Sequence, residues 1–122
     1  MVKYEQDFIM RQIQMLVRFV SSIIFGRDSI LEEMDKEQAG EMGELYTRLN
    51  DLLSDNDICT AEDELLNNFT ESKDYLRLTL WFYNELSTMT DEELESANFS
   101  REEIYEGLQN VLQRSGISPP PF

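Results

Sequence analysis

Asp55 and Asp57 begin like a calcium-binding loop. The pattern then fails, because Thr60 stands where the loop needs its glycine and Leu66 where it needs the closing glutamate. Glu41 with Glu44, and Glu102 with Glu106, have the spacing of weak chelating pairs on a helix. Without a softer ligand, a solvated acidic face accounts for them better. The sequence contains no histidine, so the usual neutral-pH base and metal ligand is missing, as are the E-x-x-H pairs of di-iron bundles. Cys59 is the only cysteine. It has no imidazole to activate it as a nucleophile. Its place just ahead of an expected helix N-terminus is the one feature that would lower its pKa, and an inert small apolar residue is the simpler reading. No phosphate-binding, dinucleotide or G-x-S-x-G motif occurs. No catalytic residue, metal site or cofactor is therefore expected.

Two other groups of residues suggest recognition rather than catalysis. Trp81-Phe82-Tyr83 are consecutive, and three consecutive residues point to different sides of a helix. Such a run could line a ligand pocket or a partner groove; core packing explains most of it, but at least one ring is expected to reach an interface or the surface. The second group lies in the stretch Phe8 to Phe25, the longest apolar run of the chain. Ile9, Ile13, Leu16, Val20 and Ile23 form a helical stripe, flanked by Phe8, Met15 and Phe19 on one side and Met10, Val17 and Ile24 on the other. Arg11, Gln14, Arg18 and Ser21 share one narrow polar line. A helix apolar around so much of its circumference is usually central in a bundle or buried in an oligomer.

The elements that position these residues all read as helices. Helix one is expected over about Tyr4–Phe25, stopped by Gly26. Ser29 with Glu32 reads as a capping box opening a short helix. A firmer helix spans about Glu41–Ser54, with a Glu44–Arg48 pair one turn apart. The polar turn Ser54–Asp57 leads to a short helix over about Thr60–Phe69, with Thr60 as its N-cap. Another runs over about Ser72–Thr88 and is the natural partner of the first. Thr90 with Glu93 and Ser100 with Glu103 are further capping boxes, opening one or two turns near Asp91–Ser96 and a helix over about Ser100–Arg114. The expected fold is all-α: one domain over residues 1–117, a compact bundle of about five helices with the first at its centre, followed by antiparallel hairpins in a layout like tetratricopeptide units. Residues 118–122 form a Pro-rich tail.

The charge is uneven. The chain carries −15, of which the part up to Arg27 contributes +2 and the remainder −17. An acidic body repels phosphate backbones and anionic lipid, so nucleic acid is not an expected partner and a membrane is disfavoured. Arg11, Gln12, Gln14 and Arg18 interrupt the apolar run, which argues against a membrane span, and no small-residue cleavage site marks it as a signal peptide. A lone thiol suggests the cytoplasm.

The opening Tyr4-Glu-Gln-Asp-Phe-Ile-Met-Arg-Gln-Ile, continued by Ile24-Phe-Gly26, resembles a group of short bacterial proteins of unknown function that begin with a D-[YF]-I-x-R-x-I helix and continue in acidic helical hairpins. The resemblance implies an all-α cytoplasmic bacterial protein and transfers no activity. The leading expectation is a non-enzymatic interaction protein that self-associates, with a homodimer as the expected assembly, through a surface that includes Phe8, Arg11, Met15, Arg18, Phe19, Trp81 and Tyr83. The alternatives are a ligand-binding protein or enzyme with a pocket near Trp81–Tyr83, and a peripheral membrane factor using helix one.

Overall fold

A computed structural model describes the backbone of residues 3–26, 34 and 36–117, and side chains from Phe8 onward. Among these residues there are six α-helices and no strand. They are α1 (Lys3–Phe25), α2 (Gly43–Ser54), α3 (Ile58–Asn67), α4 (Lys73–Ser87), α5 (Asp91–Ser96) and α6 (Arg101–Arg114), with a 3-10 turn at Gly40–Met42 before α2. The Ser29–Glu32 capping box and the Pro-rich tail lie outside the described residues.

Local chemistry sets most boundaries. Thr90 opens α5 and Ser100 opens α6, each through the two reciprocal bonds of a capping box with Glu93 and Glu103. Ser72 caps α4 by accepting from the Tyr75 N–H. The start of α3 differs from expectation. Asp57, not Thr60, is the N-cap, and its carboxylate accepts from the Thr60 N–H. Asn56, at φ +57, turns the chain so that the helix can begin at Ile58, two residues early. Arg48 also departs from its expected pairing within the helix. It reaches across to Glu64 on α3 at 3.4 Å.

The packing corrects the expected centre. Ten of the fifteen residues of α4 are buried, from Tyr75 to Ser87, while Lys73, Arg77, Asn84 and Glu85 keep one side of the helix partly in solvent. Helix α1 packs on α4 and on α6, α4 packs on α6, and α2 packs on α3. Ile13, Leu16, Val17 and Val20 of α1 join Leu49, Ile58, Leu65, Leu78 and Leu108 in the core. Trp81, Phe82 and Tyr83 are all buried, so the expectation that one ring must reach the surface does not hold. Neighbours cover most of the helix, and Tyr46 closes over Trp81 on its more open side, so the three consecutive rings are all buried. Tyr46 of α2 tilts against Trp81 at 4.8 Å, and the Tyr75 hydroxyl donates to the Leu65 carbonyl at 2.7 Å.

Gly40 joins the 3-10 turn to α4. It has φ +61, and its Cβ would lie 2.5 Å from Asp74 Oδ2. That carboxylate accepts from the Glu41 N–H at 3.2 Å, so it serves the 3-10 turn as well as the first turn of its own helix. Gly40→Ala is therefore expected to destabilise the fold by about 1–2 kcal/mol, through the left-handed backbone and the displaced carboxylate. A lower denaturation midpoint at unchanged m-value would register it.

Candidate functional site

Helix α1 shows two unlike faces. Its inner face is core. On its outer face stand Phe8, Met15, Phe19 and Ile23, which are 50, 57, 44 and 62% exposed. These four are the exposed large apolar side chains among the described residues, and all belong to this one helix. Ile23 was expected in the core-facing stripe. It sits at that stripe's outer margin near the helix end, where Leu16 and Val20 still reach the core and it does not.

The expected polar line divides in two. Gln14 and Ser21 turn inward. Gln14 Nε2 donates to Ser87 Oγ on α4 at 3.4 Å, Ser87 Oγ donates to the Asn84 carbonyl at 2.6 Å, and Ser21 is buried. Arg11 and Arg18 turn outward into solvent beside Met15, and neither has an ion pair among the described residues. Beyond Gln14, the α4 side of α1 is closed by Phe25, whose ring lies under the Arg77 guanidinium at 4.3 Å. The outer face is thus an apolar ridge with a cationic edge, on a chain whose remainder is strongly acidic. By length and composition, Phe8–Phe25 would suffice to cross a membrane despite its two arginines, although a third of the segment is buried here.

Of the seven residues singled out from the sequence, Phe8, Arg11, Met15, Arg18 and Phe19 therefore come together on one solvent-facing surface. Trp81 and Tyr83 do not join them. They lie in the core and face other elements. Trp81 borders an open cleft of about 360 Å³, whose walls include Met34, Tyr46, Asn50, Glu85 and Met89.

Tyr83 forms part of a polar junction that sequence reasoning did not find. Its hydroxyl donates to Glu62 Oε2 of α3 at 2.8 Å, and α6 passes over the pair at Gly107. A Cβ at Gly107 would meet Glu62 Oε2 and would lie 2.6 Å from Tyr83 Oη, so only glycine lets the three elements approach so closely. The helical glycine inside Ser100–Arg114 was the available signal. Burial holds the Tyr83 hydroxyl well above its ordinary range, and the Glu62 carboxylate adds to the effect. Desolvation raises the Glu62 carboxyl, Glu103 and Asp63 add to it, and the Tyr83 hydrogen bond opposes it. Cys59, near the N-terminus of α3, is exposed, and desolvation followed by Glu103, Asp57, Asp63 and Glu62 raises its pKa. Desolvation and the surrounding carboxylates both disfavour the thiolate. No group of three His, Cys, Asp or Glu side chains among the described residues is placed to hold a metal ion.

A carboxyl whose pKa is raised by folding favours the folded state while protonated, and that contribution is lost as pH rises through the folded pKa. Glu62→Gln keeps an acceptor for Tyr83 and removes the buried charge. The variant is expected to be the more stable chain at pH 7, with the difference vanishing toward acid, below the ordinary carboxylate range. Urea denaturation of both proteins across that range is the measurement.

The chain matches no curated protein and no solved structure. A family model does match, over residues 3–116, nearly the whole of the sequence and every helix described above. The chain belongs to that family, a family of unknown function (DUF6483).

Proposed function

We propose that this chain is a non-enzymatic interaction protein that pairs with a second copy of itself through the outer face of α1. The observation that carries this reading is the alignment of Phe8, Met15, Phe19 and Ile23, each about half exposed, on one helix. Contiguous exposed apolar surface of this kind marks an interaction site, whereas isolated apolar residues do not. A second copy is the fitting occupant because an apolar ridge is best covered by another, and among the described residues large exposed apolar groups occur on this face alone. The acidic remainder keeps such a pair soluble and limits further association. A cytoplasmic, bacterial setting suits the exposed single thiol and the N-terminal motif, and the hairpin order after α1 suits a tetratricopeptide-like layout.

Sedimentation over a concentration series tests this reading. The unmodified chain is expected to dimerise, and Met15→Asp with Phe19→Asp to remain monomeric with an unchanged circular dichroism spectrum. A chain that stays monomeric at every concentration overturns the reading. Flotation with anionic lipid vesicles separates it from a membrane role, and the acidic chain is expected to stay in the soluble fraction.

A second reading rests on the cleft beside Trp81. Its carboxylate, two aromatic rings and two thioethers would suit a small organic amine. Trp81 is the single tryptophan, so its fluorescence reports the cleft. Under the leading reading phenethylamine leaves that emission unchanged, and a saturable shift would favour the cleft instead.

A further inference from the structure

Building on the reading that a second copy covers this face, we infer that the two α1 helices pair in parallel and in register, with Arg18 of each copy lying against the Phe19 ring of the other. The inference comes from how the outer face is divided. At about 100° per residue, Phe8, Met15 and Ser22 run near the middle of the face, Arg11 and Arg18 along one edge, and Phe19 and Ile23 along the other. The arginine edge is the one nearer α4, next to Gln14 and Phe25, which contact Ser87 and Arg77 of that helix.

A two-fold axis running along the helices sets the arginine edge of one copy against the aromatic edge of the other. Residues 18 and 19 differ by one residue's rise, so guanidinium and ring arrive at the same height. Each copy then contributes one cation–π contact, and Phe8, Met15 and Ser22 meet their own counterparts. The chain already uses this contact twice, Arg77 over Phe25 and Arg114 over Phe69 at 4.2 Å. An antiparallel pair about Met15 joins like edges instead. Arg11 then faces Arg18 of the second copy, and Phe19 faces Gln12. No carboxylate lies between Phe8 and Phe25 to offset that repulsion.

Disulfide trapping distinguishes the two arrangements. In a Cys59→Ser background, the F8C and S22C variants carry single thiols near opposite ends of the ridge. A disulfide requires Cα atoms within about 7 Å. In the parallel pair each variant cross-links to itself, and a mixture of the two yields no F8C–S22C product. A mixed product in place of the self-linked ones overturns the inference and leaves pairing through α1 intact. No cross-link from a chain that sedimentation shows to be dimeric also overturns it, because the ridge is then not the contact. No cross-link from a monomeric chain means that the reading beneath it has failed.

Discussion

The burial of α4 is the constraint on which the rest of this structure depends. A helix carrying Tyr75, Leu76, Leu78, Leu80, Trp81, Phe82, Tyr83 and Leu86 has apolar groups on every side, and each side has to be covered. Helix α1 supplies one cover and α6 another, and Tyr46 of α2 closes over Trp81. Burial at roughly 25 cal/mol per Å² of apolar surface makes this the dominant favourable term. The shorter helices are too brief to be stable in water alone, and their capping boxes fix where each one starts once packing has made it stable.

Covering α4 uses only one face of α1. That is why a helix apolar on most sides still leaves a ridge in solvent. Its inner face holds Ile13, Leu16, Val17 and Val20, and along its α4-facing margin Gln14 bonds Ser87 and Ser21 is buried. Phe8, Met15, Phe19 and Ile23 stand outside the buried core and remain about half exposed. Arg11 and Arg18 belong to the same outward face and give it a charge opposite to that of the body. The interaction reading follows from this division of one helix.

Close approaches between elements are managed by pairing glycines with carboxylates. Gly40 admits Asp74, and Gly107 admits Glu62 with its Tyr83 hydroxyl. In both places a carboxylate from another helix occupies the space a methyl group would take. The half-buried Glu62 carries a desolvation cost that its hydrogen bond from Tyr83 offsets in part. Such junctions hold helices in position.

The sequence by itself determined the helices, because their signals are local. Apolar spacing in α1, and the Thr90–Glu93 and Ser100–Glu103 boxes, involve residues within one or two turns of each other. The five residues of the outer α1 face were legible for the same reason: Phe8, Arg11, Met15, Arg18 and Phe19 share a side of any helix drawn through them. Trp81 and Tyr83 were not, because whether a ring is buried depends on what surrounds its helix. The same holds for the inward turn of Gln14 and Ser21, the reach of Arg48 to Glu64, and the raised Cys59 thiol, whose carboxylate neighbours include Glu103 from a distant part of the chain. Only the tertiary structure decided that α4 is buried more deeply than α1. Periodicity reports how much of a helix is apolar, but enclosure depends on how many neighbours contact it.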